Sequence, residues 1–140
     1  MSNYDTTEIN FTLPVKPISV NSYYGHITRG KTVIKYIKTA GKDFKRSVKD
    51  FVLQNKLDLQ INIPITVHVI LHFPTNHRTD IDNPQKALLD SLVEARVIDD
   101  DSLINELHIY RSPKPPEKPG SIQVIIEEYD QPVQLEFPFI

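Results

Sequence analysis

The sequence predicts an α+β fold, a mostly antiparallel sheet of about four strands with two main helices. Two kinds of periodicity indicate it: apolar residues at every second position are typical of half-buried strands, and apolar residues at i, i+4, i+7 and i+8 are typical of an amphipathic helix. The chain has 140 residues, of which 39% are hydrophobic and 24% charged. This size and composition fit one globular domain. We expect that domain to span residues 1–130, with a C-terminal tail at 131–140.

Four segments have the period of two that predicts strands. The first is 9–13, and the longest is 61–73, in which seven apolar residues share one parity. Two further strands are predicted over 103–110 and 121–129, joined by a proline-rich connection. Because the apolar residues alternate with polar ones, we expect a sheet with one buried face.

Two segments have the period of a helix. Residues 41–55 carry an apolar stripe, and their basic residues fall mostly off that stripe, which predicts a basic outer face. A second helix is predicted to begin with Asn83 as N-cap and Pro84 at N1, and to end near Arg96. The segment 14–32 is rich in proline, glycine and polar residues, which indicates a long loop.

The charges are segregated along the chain. Residues 29–49 contain eight basic side chains and one acidic one, a net charge of +7, whereas the whole chain carries −2. Residues 80–106 contain eight acidic and two basic side chains, a net charge of −6. A protein that holds a polyanion with one surface and metal ions with another has this pattern, but the solvated face of an ordinary helix gives the same basic run. The basic candidates are Arg29, Lys31, Lys35, Lys38, Lys42, Lys45, Arg46 and Lys49.

The acidic segment contains a candidate metal site. Asp80 and Asp82 follow the longest strand at i and i+2, where an extended backbone would project both carboxylates to one side. Lys86 falls in the first turn of the predicted helix, and the acidic run 99–101 follows its far end. Mg²⁺ prefers oxygen ligands and usually takes one or two carboxylates with waters and substrate phosphates. A metal site beside a lysine is suited to phosphodiester hydrolysis, because the ion activates water and offsets transition-state charge.

Simpler explanations fit the same residues. Asp82 can cap the helix, Lys86 can pair with Asp90 at i+4 on the surface, and 99–101 can be an acidic turn. A calcium loop does not fit, because Pro84 occupies a ligand position after D-x-D and no glycine follows. The spacing alone therefore leaves the metal site open.

Two blocks of sequence resemble the RusA family of Holliday junction resolvases, many of them phage or prophage encoded. Residues 80–92 read D-I-D-N-P-Q-K-A-L-L-D-S-L, and 97–102 read V-I-D-D-D-S. The family pattern is D-[LI]-D-N-x-x-K-A-x-x-D-A-L, then a short gap and D-D-[AS]. The family's opening pattern, L-P-x-P-P-S-x-N-x-x-Y, is similar to Leu13, Pro14, Pro17, Ser19, Asn21, Tyr23 and Tyr24.

The resemblance implies a RusA-like, homodimeric, Mg²⁺-dependent endodeoxyribonuclease that cuts symmetric strands of four-way DNA junctions in recombination and repair. Mn²⁺ would be the substitute cofactor. Asp80 and Asp82 match the family's metal-binding aspartates, and Lys86 matches its essential lysine. The family spacing places the third metal aspartate at Asp101. This chain has three consecutive aspartates where the family usually has two, so Asp100 is the alternative.

The chain departs from the family pattern at two positions. Pro84 replaces the usual apolar residue after Asp-Asn, which the N1 position tolerates. Thr79 precedes the first aspartate where the family often has arginine, and Arg78 lies one place earlier. Arg78 joins the basic residues as a candidate DNA contact, at a shifted position.

Other classes of function remain open on the sequence. A non-catalytic junction-binding protein would keep the fold and use the acidic residues structurally, and a purely structural interaction module would tolerate their replacement by asparagine. A metal-dependent phosphohydrolase acting on small substrates would explain the carboxylates but not the basic run.

Composition also bounds the location and the partners. The chain has no cysteine, which excludes disulfides and thiolate metal sites. It has neither a signal-peptide pattern nor an apolar run of the roughly 20 residues that span a bilayer. We expect a cytoplasmic protein of a bacterial host, phage or prophage encoded, with no membrane partner. The tail segment 134–139 either docks a replication protein or packs on its own domain.

Overall fold

The computed structural model describes residues 8–76 and 80–130. The elements in chain order are β1 (Ile9–Leu13), α1 (Val20–Tyr23), β2 (Tyr24–Arg29), β3 (Thr32–Ile37), α2 (Thr39–Gln54), β4 (Ile65–His72), α3 (Gln85–Glu94), a 3₁₀ turn (Asp101–Leu103), β5 (Ile104–Arg111) and β6 (Ser121–Glu128). The fold is α+β, as predicted. The predicted tail at 131–140 lies outside the described residues.

Four strands form one mixed sheet in the order β1-β6-β4-β5. The β1–β6 and β4–β6 pairs are antiparallel, and the β4–β5 pair is parallel. The prediction of a mostly antiparallel sheet is therefore right for two of the three pairings. Parallel neighbours require a crossover connection, and α3 lies in the one that joins β4 to β5. The acidic residues before and after α3 both belong to this crossover.

The longest strand starts later than its apolar alternation predicts. β4 begins at Ile65, and Ile61 forms only an isolated parallel bridge with Ile98. Pro64 has no N–H to donate to a ladder, although its carbonyl accepts a hydrogen bond from the Tyr129 amide at 3.0 Å. The predicted strand is confirmed for 65–72, and the proline sets its start.

The core lies between the main sheet and the two long helices. The inward residues of β4 are each 1% exposed, and the apolar stripes of α2 and α3 are also buried. Burying one such side chain stabilises the fold by about 1.5–3 kcal/mol. The core members that fix α2 and α3 on the sheet are Val48, Val52, Ile65, Val67, Val69, Leu71, Leu88 and Leu92.

The prediction of a long loop over 14–32 is wrong for its second half. The chain forms the short helix α1 and then a two-stranded hairpin of β2 and β3, whose turn contains Gly30 at φ +62°. Alternation of apolar and polar residues does not predict this hairpin, because apolar side chains on both of its faces are exposed. Ile27 is 44% exposed and Val33 is 62% exposed. None of the helices within 8–76 and 80–130 is long and apolar enough to cross a membrane.

Candidate active site

The first two candidate aspartates lie on a turn and not on an extended strand. The Asn83 amide donates to the Asp80 carbonyl at 3.3 Å, and the turn runs directly into α3. The extended backbone predicted for Asp80 and Asp82 is therefore wrong, and strand alternation does not set the direction of their side chains. Both carboxylates are nevertheless exposed at the N-terminal end of the helix, where they are free to meet a cation or solvent.

Asn83 does not cap α3, contrary to the prediction. The cap position is Pro84, with no side-chain hydrogen bond. Instead, Asn83 Oδ1 accepts a hydrogen bond from the Val20 amide at 3.2 Å, across 63 positions of sequence. Val20 opens α1, whose first amides have no partner within the helix. This bond links the turn that contains Asp80 and Asp82 to the N-terminal segment 13–24. The two segments that match the family pattern are therefore in contact.

Lys86 forms the i+4 ion pair that the sequence offered as a simpler explanation. Its Nζ lies 3.6 Å from Asp90 Oδ1, and the Lys86 side chain is 53% exposed. Asp90 Oδ2 accepts a hydrogen bond from the Tyr24 hydroxyl. Burial, followed by the bond to Asp90, raises the pKa of Tyr24 above its ordinary value. The sequence indicated Asp90 as a partner for Lys86 and as a residue of the family pattern, whereas its link to Tyr24 is decided by tertiary contact.

The acidic run after α3 faces the second half of that helix. A cleft of about 350 Å³ lies between α2, α3 and the 3₁₀ turn. Its negative lining comes from both sides of the cleft, and Lys45 brings one positive charge. The lining residues are Tyr23, Ile37, Lys45, Asp90, Val93, Glu94, Asp100 and Asp101.

Asp100 and Asp101 play different local roles. Asp100 precedes the 3₁₀ turn, and its Oδ2 accepts from the Ser102 hydroxyl at 2.7 Å. That hydroxyl lowers the pKa of Asp100 below its ordinary value. Asp101 is the first residue of the turn. Asp100 therefore has a structural hydrogen bond that holds the turn.

The three predicted metal ligands are not assembled as one cluster. Within 8–76 and 80–130, no three His, Asp or Glu side chains lie close enough to hold an ion together. Asp80 and Asp82 precede α3, whereas Asp101 lies beside its second half, and ten helical residues span about 15 Å. The donors are all carboxylates, the ligand type of a hard cation. The ligand set stays a prediction.

The basic residues divide into two groups. Lys45 Nζ lies 2.9 Å from Glu94 Oε1 and is 23% exposed, so Lys45 faces α3 and the prediction that it lies on the outer face of α2 is wrong. This pair raises the pKa of Lys45 and lowers the pKa of Glu94. Arg46 is exposed and lies 3.3 Å from Asp43. Arg78 lies outside the described residues. The exposed group comprises Arg29, Lys31, Lys35, Lys38, Lys42, Arg46 and Lys49.

Exposed carboxylates, a lysine at a helix N-terminus and a basic surface together fit the class of proteins that cleave phosphodiesters. A family model described as "Endodeoxyribonuclease RusA" matches residues 14–127. The chain belongs to this RusA family of endodeoxyribonucleases, an enzyme class, and the family predicted from the two sequence motifs is confirmed.

Individual relatives cover most of the chain. The crossover junction endodeoxyribonuclease rusA of Enterobacteria phage HK97 is 34% identical over 109 residues, which are 78% of this chain and 87% of the relative. The proteins of the same name from Escherichia coli O139:H28 and Enterobacteria phage 82 are each 31% identical over 119 residues, covering 85% of this chain and 93% of the relative.

Proposed function

We propose that this protein is a Mg²⁺-dependent endonuclease that resolves four-way DNA junctions by symmetric paired cleavage in recombination and repair. The observation that carries the proposal is the acidic turn at Asp80 and Asp82, which brings two exposed carboxylates to the start of α3, the helix whose first turn contains Lys86. The names of the relatives, crossover junction endodeoxyribonuclease, supply the substrate class.

The chemistry of the donor set supports a hard divalent cation. Asp80, Asp82 and Asp101 would hold it, and Asp101 is favoured over Asp100 because the Asp100 carboxylate is engaged by Ser102. When bound, Mg²⁺ supplies an activated water and offsets charge on the phosphate, with Mn²⁺ as its substitute. Mg²⁺ sites commonly keep only one or two carboxylates, with waters and substrate phosphates completing the coordination. Because Asp80 and Asp82 precede α3 and Asp101 lies beside its second half, the three carboxylates would have to approach one another when the ion and DNA bind.

The residues of the chain supply the remaining catalytic groups. Lys86 carries a positive charge at the helix end whose free amides already attract anions. Its ammonium would hold the scissile phosphate or the attacking water and stabilise charge that develops in the transition state. The expected consequence is that Lys86→Ala abolishes cleavage and leaves junction binding largely intact.

The exposed basic group would grip the DNA backbone. It runs from the hairpin (Arg29, Lys31, Lys35) onto the first turns of α2 (Lys38, Lys42), with no acidic side chain before Asp43. Contacts to phosphates give affinity without reading bases. Such binding weakens steeply with salt, so a flat salt response in a titration would exclude this surface as the DNA contact.

A homodimer would explain selectivity for junctions. A four-way junction has two symmetric strands to cut, and a C₂ dimer holds two identical sites at a fixed separation. Light scattering on the purified protein at assay concentration tests the proposed mass of two chains. A monomer under cleavage conditions would overturn this part of the proposal.

The deciding experiment compares synthetic four-way junctions with linear duplex of matched sequence. Cleavage is measured with Mg²⁺, with Mn²⁺ and with EDTA, using Asp82→Asn as the site variant and Asp58→Asn as a control for loss of one exposed charge. Paired symmetric nicks on the junction alone, lost with EDTA and with Asp82→Asn, are the expected result. Tight binding without cleavage in any divalent ion would favour a non-catalytic binding protein, and hydrolysis of nucleotides alone would favour a small-molecule phosphohydrolase.

A further inference from the structure

We propose that Asp90 is a positioning residue that orients Lys86 toward the scissile phosphate, and that Tyr24 holds Asp90 in place. This inference rests on the proposed function. It adds two residues to the site, one from each motif-bearing segment of the chain.

The Asp90 carboxylate has two partners, one on each oxygen. Oδ1 lies 3.6 Å from Lys86 Nζ, and Oδ2 accepts the hydrogen bond from the Tyr24 hydroxyl. The i,i+4 spacing puts Lys86 and Asp90 on one face of α3. Asp90 is 28% exposed and Lys86 53% exposed. The carboxylate is thus partly sheltered within the fold, while the ammonium that it contacts reaches toward solvent.

Tyr24 is itself held rigidly. Its ring meets the Tyr23 ring edge-on at 4.6 Å between centroids, and Lys35 Nζ lies 3.8 Å from its centroid. A tyrosine hydroxyl is protonated at neutral pH, and the raised pKa of Tyr24 favours this form further, so the hydroxyl is a donor to Asp90. A neutral donor leaves the negative charge of Asp90 available to Lys86. The resulting series of contacts runs from the buried Tyr23 through the partly buried Tyr24 and the Asp90 carboxylate to the exposed Lys86 ammonium.

A fixed direction matters because a lysine side chain is long and flexible. Without a partner, the Lys86 ammonium would sample many rotamers, whereas the pair with Asp90 holds it beside the cleft that Asp90 and Asp101 line. Misplacement of a catalytic group by about 1 Å can lower a rate about 100-fold. We therefore expect the loss of Asp90 to affect the cleavage step and not the binding of DNA.

The competing explanation is that Asp90 and Lys86 form an ordinary surface ion pair. Such a pair would contribute a little to stability and nothing to chemistry. The two explanations differ in single-turnover cleavage of junction that is already bound, measured separately from affinity.

The experiment compares Asp90→Asn and Tyr24→Phe with two matched controls. Asp58→Asn removes an exposed loop carboxylate, and Tyr110→Phe removes a hydroxyl from a tyrosine that is 46% exposed on β5. We expect Asp90→Asn to slow single-turnover cleavage roughly 10- to 100-fold and Tyr24→Phe roughly 3- to 10-fold. Junction affinity should change by less than about twofold in either variant, and both controls should cleave like the wild type. Cleavage by Asp90→Asn at the wild-type rate would overturn the inference.

A double-mutant cycle with Lys86→Met tests whether Asp90 acts through Lys86. Groups that act as a unit are not additive, so Asp90→Asn should cause no further loss when Lys86 is absent. An equal loss in both backgrounds would refute positioning. Where the residual rate is too low, NMR of reductively methylated protein provides a readout without activity: the Lys86 signal, assigned by Lys86→Arg, should shift in Asp90→Asn and not in Asp58→Asn.

Failure of the proposed function and failure of the positioning role give different results. If the wild type cleaves no junction with any divalent ion, the proposed function fails, and the NMR signal alone decides the contact between Asp90 and Lys86. If the wild type cleaves and Asp90→Asn cleaves equally fast, the inference fails while the proposed function stands. Thermal unfolding of every variant identifies a change that acts through misfolding, and Tyr24→Phe, which keeps the ring packing, then serves as the test.

Discussion

The bond between Asn83 and the Val20 amide links the acidic turn to the N-terminal segment, and Asn83→Ala tests what that link contributes. The substitution removes the acceptor from a partly buried amide at the start of α1. A hydrogen bond of this kind contributes about 1 kcal/mol net, and leaving the donor buried without a partner costs up to about 3 kcal/mol. Val20 is only half-buried, so water can reach its amide and the lower figure applies. We expect a loss of about 1 kcal/mol.

The measurement is urea unfolding followed by far-UV circular dichroism, with thermal unfolding in parallel. For a chain of this size, about 1 kcal/mol corresponds to a fall in Tm of roughly 4 °C. Asn83→Asp is the conservative variant, because its carboxylate can still accept the Val20 N–H bond. Asn62→Ala removes an exposed asparagine from a loop, and it controls for the loss of an asparagine side chain that is not at the acidic turn.

The outcome also bears on function. If the bond fixes the turn, Asn83→Ala should slow junction cleavage more than Asn83→Asp does. Equal losses of stability in Asn83→Ala and Asn83→Asp would refute the reasoning, since the acceptor is present in only one of them. So would a change in Asn83→Ala no larger than that of Asn62→Ala.

Three further predictions concern stability. Gly41→Ala should destabilise the protein by about 1–3 kcal/mol in urea unfolding, although alanine is the better helix former, because the new Cβ would lie 2.7 Å from the Tyr23 carbonyl oxygen; a gain in stability would contradict this. Leu88→Ala should cost about 2–5 kcal/mol by the same assay, because the side chain is 0% exposed and its removal leaves a cavity; a cost under about 1 kcal/mol would show that the site collapses. The pair of Lys45 and Glu94 should make wild type more stable than Glu94→Gln by about 0.5 kcal/mol at neutral pH. Because the pKa of Glu94 is lowered in the fold, this difference should persist above the ordinary glutamate value and vanish as the pH falls through the folded pKa; a difference that survives in strong acid would exclude the pair as its cause.

Local sequence determined the parts of this protein whose physics is local. The alternation in 65–72 produced β4 because side chains on a strand point to opposite faces, and the apolar stripe around Phe44 and Val48 produced α2. The two aspartates and Lys86 stand out through their match to the family pattern, because their spacing alone leaves the metal site open. Family membership was predicted from the two sequence motifs, and the family-model match over residues 14–127 confirms it.

Tertiary structure decided what depends on distant segments. The parallel pairing of β4 with β5 depends on the path through α3, and no periodicity within a strand encodes its direction. The role of Asn83 depended on an amide 63 positions away, which competed successfully with the local cap. The hairpin of β2 and β3 lacks a buried face, so its strands had no apolar alternation to reveal them. Lys45 faces α3 because Glu94 lies on that helix, which packs against α2. Tyr24 contacts Asp90 of the same helix. Both contacts depend on how the elements pack, which sequence periodicity does not contain.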